Sequence, residues 1–280
     1  MSDALAISAT RQLAPFGRRL GTVTARERYG PYVVLRCTDP EGPLPSAGQF
    51  YMLAAAARWG GGEGERPFLP RAFSVLRADD DAAGRAELQF LVEDVGPGTE
   101  RLCELEPEDG LLLVGPLGNG FHAPPDGRRP LLVGGGVGIA PLAILQDQLA
   151  SGARVLLGFR DAAHAAGAAL LREPTVATDD GSVGHDGLVT ELLVQELEAA
   201  SGRVQVYACG PPAMLEAVRS ICAEHAVPAQ LALESGMACG FGACFGCVVP
   251  TRGGYVRLCI DGPVLEAASL EKVEAVGAHR

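Results

Sequence analysis

Four of the chain's eight cysteines fall in one stretch, LESGMACGFGACFGCVVPTRGGYVRLCIDGPV, residues 233–264. Cys239, Cys244 and Cys247 stand as C-x4-C-x2-C, and Cys259 follows after a short hairpin-like segment. That is the plant-type spacing for a 2Fe–2S cluster. Thiolates are soft, charged donors that hold iron in both oxidation states. The intervening residues are Gly240, Phe241, Gly242, Ala243, Phe245 and Gly246. They are mostly small, so a tight loop can bring its N–H groups near the sulfurs and tune the reduction potential. A structural zinc site with four thiolates is the alternative, although zinc ribbons usually separate two C-x2-C pairs. Disulfides are a third reading. The start, MSDALAISATRQLAP, has no basic region followed by an apolar run, so no secretory signal is expected. A reducing cytoplasm follows as the expected compartment and argues against disulfides. There Cys37, Cys103, Cys209 and Cys222 would be free thiols, mostly in cores.

A second constellation lies in RPLLVGGGVGIAPLAILQDQLASG. A continuous apolar strand over residues 131–133 runs into Gly134, Gly135, Gly136, Val137 and Gly138, and a helix is expected to begin near Pro141, where the missing N–H costs nothing. Strand, glycine loop and helix form the dinucleotide arrangement, though without the G-x-G-x-x-G spacing. The alternative is a tight turn that binds nothing. Further strand–helix units follow: ARVLLGFRD with a helix over 162–172, PTVATDDGS with GLVTELLVQELEAAS, and RVQVYACGPPAMLEAVRSICAEH. Such alternation builds a parallel sheet, with ligands at the carboxyl ends of its strands. Residues 134–138, Phe159 and Arg160, residues 178–181, and Cys209 with Gly210, Pro211 and Pro212 all fall at such ends. Cys209 reads equally as a buried thiol or a nicotinamide-facing one.

A third, weaker motif is Arg71-Ala72-Phe73-Ser74. On its own it is a strand with Phe73 in the core. It is followed by a strand over residues 88–92 and by Gly96-Pro97-Gly98-Thr99, which opens a helix near Glu100. A helix start flanked by glycines, with an arginine on a nearby strand, is suited to clamp a pyrophosphate.

These residues need a scaffold. At 280 residues and 48% hydrophobic, the chain can fold as two domains with a small appendage. Residues 17–55 alternate apolar and polar in short runs broken by Gly30-Pro31 and by Pro45 to Gly48, which predicts an antiparallel barrel or sandwich. Residues 58–70 read as an exposed loop, a strand over 111–121 closes the first domain, and residues 123–127 read as a linker. No apolar run is long enough to span a membrane. Net charge is −11 with one lysine, Lys272, so no basic face for nucleic acid is expected.

The order of these parts resembles the ferredoxin reductase superfamily and, within it, the electron-transfer subunits of class 1B dihydroorotate dehydrogenases. The likeness runs from about residue 17 to about 264 and is most specific in GPLGNGF (115–121), TDDGS (178–182), LESGMACGFGACFGC (233–247) and CIDGPV (259–264). It implies an α/β plus all-β protein: an antiparallel β-barrel flavin domain (15–124), a parallel-sheet nucleotide domain (125–230), a small C-terminal iron–sulfur module (231–264) and a tail (265–280). It implies FAD, a 2Fe–2S cluster and NAD, and a partner, the FMN-containing catalytic subunit, in a heterotetramer of two of each. Electrons from dihydroorotate would pass from FMN through the cluster to FAD and on to NAD, in pyrimidine biosynthesis. By position, Arg71 would contact FAD phosphate, Phe73 and Ser74 would lie by the flavin with Ala72, and Leu91, Val92 and Glu93 would pass along it. Gly98 and Thr99 would hold its pyrophosphate. Gly134, Gly135, Gly136, Gly138, Cys209 and Gly210 would serve the dinucleotide, and Cys239, Cys244, Cys247 and Cys259 the iron. No residue here is a general base; that would belong to the partner. Glu93 and Gly236 depart from the pattern, which places a basic residue at each. Asp179 and Asp180, if near the ribose, disfavour a 2′-phosphate and so favour NAD over NADP.

Two other readings compete. One is a reductase subunit serving a hydrogenase or a ferredoxin partner, to be told apart by what co-purifies. The other is a colourless, zinc-stapled binding module that senses nucleotides without catalysis.

Overall fold

The computed structural model describes residues 17–60, 67–80, 84–124, 127–149, 152–200 and 203–273. The chain start, residues 61–66 of the expected loop, residues 125 and 126 of the expected linker, and the tail beyond 273 lie outside the described residues.

Six strands close an antiparallel barrel: β1 (Arg19–Tyr29), β2 (Tyr32–Asp39), β3 (Phe50–Ala55), β4 (Arg71–Asp80), β5 (Ala86–Glu93) and β6 (Gly110–Leu117), in the order β1-β2-β5-β4-β3-β6. Helix α1 (Pro97–Cys103) links β5 to β6. Along β1, buried and outward residues alternate, as a strand with one face on a core requires. Val23, Leu35, Leu53, Val75, Phe90 and Leu111 fill the interior. One buried ion pair fastens it. Arg19 Nε donates to Asp39 Oδ1 at 2.7 Å, and Nη2 to Asp39 Oδ2 at 2.6 Å and to the Gly115 carbonyl at 2.5 Å, tying β1, β2 and β6.

Strand β6 stops at Leu117, short of the strand expected to reach residue 121. Gly118 turns with φ +71°, and Asn119 then reaches across to a distant loop. Its N–H donates to the Gly262 carbonyl at 2.6 Å, and its side chain donates to the carbonyls of Ile260 and Asp261, each at 3.1 Å. Phe121 packs edge-on against Tyr207, ring centroids 5.6 Å apart. GPLGNGF therefore joins the barrel to both later parts of the chain.

The second half is a seven-stranded sheet. Its elements are β7 (Arg129–Gly135), a 3-10 turn (Gly136–Ile139), α2 (Ala140–Gln148), β8 (Arg154–Phe159), α3 (Ala162–Ala165), β9 (Pro174–Thr178), β10 (His185–Asp186), α4 (Val189–Ala199), β11 (Val204–Cys209), α5 (Pro212–Glu224) and β12 (Ala229–Ala232). The order is β10-β9-β8-β7-β11-β12, all parallel. All six residues of the central strand β11 are buried, as expected for a strand covered on both faces. The helix expected over 162–172 is shorter: α3 gives way to a 3-10 turn, Ala166–Leu170. There Gly167 lies against the Tyr32 ring, which a Cβ would meet at 2.9 Å, so the chain is drawn in toward the barrel.

The hairpin β13 (Val248–Thr251) and β14 (Gly254–Arg257) follows the cysteine loop, and β15 (Val264–Glu266) returns to pair antiparallel with β12. Residues 265–273, expected within a tail, are part of the fold. They complete the sheet edge, bury Leu270, and let the Val273 N–H donate to Glu216 on α5 at 2.7 Å. Among the described residues no helix is long and apolar enough to cross a membrane.

Candidate redox site

The hairpin explains how distant cysteines meet. Val248 pairs with Arg257, and the Leu258 N–H donates to the Cys247 carbonyl at 3.0 Å, so Cys247 and Cys259 become neighbours with sulfurs 3.2 Å apart. Both are buried, whereas Cys239 is half-buried and Cys244 exposed. Burial and the Cys247 sulfur push the Cys259 thiol up to about 12. Burial acts the same way on Cys239, but the N–H groups of Cys244 and Phe241, the Cys244 thiol and the Ala243 N–H outweigh it and bring Cys239 down to about 7. The loop thus aims donors at a developing thiolate, as its small residues anticipate.

Its backbone needs its glycines. Gly240 and Gly242 have φ +79° and +87°, and a Cβ on them would meet Met52 at 2.5 Å and Ile260 at 2.7 Å. Phe245 adopts φ +58° with its ring exposed, under the Arg257 guanidinium 5.1 Å from the centroid.

The sulfurs form two associated pairs, Cys239 with Cys244 and Cys247 with Cys259. Among the described residues no three His, Cys, Asp or Glu side chains converge on a single ion position. Two pairs suit a two-iron cluster, in which each iron takes two protein ligands, better than one tetrahedral zinc.

A cavity of about 240 Å³ opens beside this loop. Ala72, Phe73 and Ser74 from β4, Leu91 and Glu93 from β5, and Thr99 from α1 line it together with Leu233, Glu234, Ser235 and Met237. Arg71 stands behind Gly98, where a Cβ would meet its Nε at 2.7 Å. Its guanidinium lies 5.9 Å from the Trp59 ring centroid and donates to the Leu69 carbonyl at 2.7 Å. The Thr99 hydroxyl is engaged in its own turn, donating to Gly96 O and accepting from Val95 N, both at 2.9 Å. Val92 is placed in the barrel core instead, because alternation along β5 turns it away from Leu91 and Glu93.

A larger cavity, about 660 Å³, lies at the carboxyl ends of the parallel strands. Gly135, Gly136, Gly138 and Gly210 line it, with Phe159, Arg160, His164, Asp179 and Met214. Two expected residues sit behind its wall. Gly134 packs between strands, where a Cβ would meet Leu157 at 3.0 Å. Cys209 is buried, its thiol driven well up by burial and by Glu234, and its carbonyl lies 2.5 Å from where a Gly138 Cβ would stand. Asp180 also turns away, accepting from the N–H and hydroxyl of Ser182 at 3.0 and 2.5 Å, so Asp179 alone of that pair lines the cavity.

Sequence reasoning missed Tyr32, His164, Glu234 and Ser235. The one available signal was a lone acid, Glu234, inside the apolar run before the cysteine loop. Glu234 lines both cavities, and desolvation by the surrounding protein raises its carboxyl. Ser235 Oγ and Tyr32 OH are buried without hydrogen-bond partners, as expected of walls that await a polar ligand.

Residues 234–271 match the family model for the iron-sulfur cluster binding domain of dihydroorotate dehydrogenase B. The chain is 38% identical over 234 residues to the dihydroorotate dehydrogenase B (NAD(+)) electron transfer subunit of Caldanaerobacter subterraneus subsp. tengcongensis, covering 81% of this chain and 87% of that protein. It is 39% identical to the same-named subunit of Bacillus caldolyticus, covering 80% and 86%. A solved structure described as an NADH-dependent reduced ferredoxin-NADP oxidoreductase superposes with a TM-score of 0.73 at 25% identity, over 92% of each chain.

Proposed function

The chain belongs to the family of dihydroorotate dehydrogenase B electron transfer subunits, and from that premise we propose that it carries electrons from the FMN of a catalytic partner subunit to NAD, with FAD in the smaller cavity, NAD in the larger and a 2Fe–2S cluster on the cysteine loop. When bound, the cluster exchanges single electrons and the flavin converts between one and two.

The observation that carries this reading is continuity. Leu233, Glu234, Ser235 and Met237 wall the smaller cavity, Cys239 follows two residues later, and Glu93, Val137 and Glu234 line both cavities. The three sites therefore stand in series. Cys239, Cys244, Cys247 and Cys259 hold the iron. Arg71, with the Gly98 backbone, meets the FAD pyrophosphate, and Phe73, Ser74 and Ser235 border the ring. The glycine loop, with Gly210, lets the dinucleotide lie against the strand ends, and Asp179 meets its ribose and disfavours a 2′-phosphate. Exposed Cys244 and Phe245 put the cluster within reach of a partner.

The division into a barrel flavin domain, a nucleotide domain and an iron–sulfur module, the assembly as two of each subunit, and a cytoplasmic location are part of the same proposal. The likeness to dihydroorotate dehydrogenase subunits, 38–39%, exceeds the 25% to the ferredoxin-NADP oxidoreductase and favours the pyrimidine reading. Capture of the protein with its natural partner tests it. The complex is expected to make NADH from NAD and dihydroorotate; a coloured complex inert to dihydroorotate would move the assignment to another donor.

A further inference from the structure

The larger cavity is poor in positive charge. Its described lining carries the carboxylates of Glu93, Asp179 and Glu234, and Arg160 is the one Lys or Arg among them. A dinucleotide brings a pyrophosphate with two negative charges into this setting. A charge-assisted contact to it has one permanent cation to draw on.

The placement of Arg160 fits that task. It follows Phe159, the last residue of β8, at the carboxyl end of a parallel strand where ligands lodge. At rest its Nη2 is ion-paired with Glu93, which comes from β5 on the barrel side of the same cavity. The two partners are unequally held. The Arg160 side chain is 61% exposed and the Glu93 side chain 17%. Glu93 Oε1 also lies 3.2 Å from His164 Nε2, and His164 Nδ1 lies 2.6 Å from Asp161 Oδ1. The His164 ring stands edge-on to Tyr32, centroids 5.8 Å apart. The carboxylate is therefore the fixed end of the pair and the guanidinium the movable one.

We propose that Arg160 is the phosphate-binding cation of this cavity, and that Glu93 holds it across the cavity until a dinucleotide pyrophosphate takes it over. The inference rests on the assignment of NAD to the larger cavity. A guanidinium meets phosphate with two parallel hydrogen bonds, which outdo its single hydrogen bond to one oxygen of Glu93. Glu93 and phosphate are then competitors for one cation, and the interdomain ion pair opens when the cavity fills.

The test is titration of the purified complex with ADP-ribose, a probe that keeps the pyrophosphate and lacks the nicotinamide. Arg160→Gln is expected to weaken ADP-ribose binding by about tenfold, the order of one charge-assisted contact. Arg160→Lys is expected to fall between, because it keeps the charge and loses the fork. Glu93→Gln is expected to tighten binding a few-fold, by removing the competitor. Unchanged iron content and far-UV circular dichroism in each variant would show that the fold is retained. If the wild-type complex fails to bind ADP-ribose, the assignment of NAD to the cavity falls and the inference falls with it. If the wild type binds and Arg160→Gln binds equally well, the inference alone is overturned. Weaker binding by Glu93→Gln would overturn the competition, since Glu93 would then be orienting Arg160 for the ligand.

Discussion

The cysteine loop and the dinucleotide cavity solve opposite problems. The loop takes three of its four cysteines from nine consecutive residues, 239–247, and reaches the fourth, Cys259, through one hairpin. It stands at the surface, with Cys244, Phe241 and Phe245 exposed. The cavity is assembled from the ends of β7, β8, β9 and β11 together with two barrel strands, which contribute Tyr32 of β2 and Glu93 of β5. A cluster that trades electrons with another protein gains from being near the surface and tolerates local construction. A cavity that must orient a flexible dinucleotide against a flavin needs walls fixed by a sheet. The difference predicts that damage to the loop stays local, whereas damage to the cavity is felt as packing strain.

The largest expected effect breaks the loop. Cys244→Ala should remove iron and acid-labile sulfide and abolish NADH formation by the complex, while Cys222→Ala, buried in α5, should keep both. Metal analysis of the two variants reads this directly. A smaller effect strains the cavity. Gly138→Ala would place a Cβ 2.5 Å from the Cys209 carbonyl, with backbone rather than a flexible side chain in the way. Overpacking of this kind costs about 1–3 kcal/mol, so thermal unfolding should shift downward by several degrees, on the order of 2–4 °C per kcal/mol. Iron content should be unchanged, and that contrast is what separates the two regions.

The smallest effect concerns the seam between them. Glu216 on α5 accepts from Arg219 and from the Val273 N–H, and these bonds, the Arg219 one foremost, hold its carboxyl down at about 2. A carboxylate whose folded value lies below its unfolded value of about 4.3 contributes fully above the latter. The contribution is lost as pH falls from there toward 2. Glu216→Gln should therefore flatten the acid limb of the stability profile in that window and lower stability at neutral pH, where the wild-type contribution is complete, as urea unfolding at a series of pH values would show.

The same contrast explains what the sequence revealed. Cysteine spacing is local information, so the loop and its hairpin were legible in C-x4-C-x2-C and the lone Cys259. The apolar runs of β7, β8 and β11 and the Gly134 to Gly138 cluster likewise announced a parallel sheet with a site at its carboxyl ends. Long-range placement was not legible. Nothing in the residues near 264 says that β15 will pair with β12, so the chain beyond 264 read as a tail. Nothing near Gly167 announces the Tyr32 ring that shortens the helix after Asp161. Val92 and Gly134 belonged to the right segments, but which face each presents is set by strand register. Glu234 and Ser235 fall within LESGMACGFGACFGC, where the cysteines drew the reading and these two were given no role. They matter because the chain passes between two cavities on its way to the cysteines.

The most direct test of the account is anaerobic reduction of the complex by dihydroorotate, followed by visible absorbance in the wild type and in Cys244→Ala. The serial arrangement predicts that cluster and flavin absorbance both bleach in the wild type, and that flavin bleaching in this subunit is lost in the variant. Flavin bleaching at an equal rate in the variant would contradict it, because electrons would then reach the FAD without the cysteine loop.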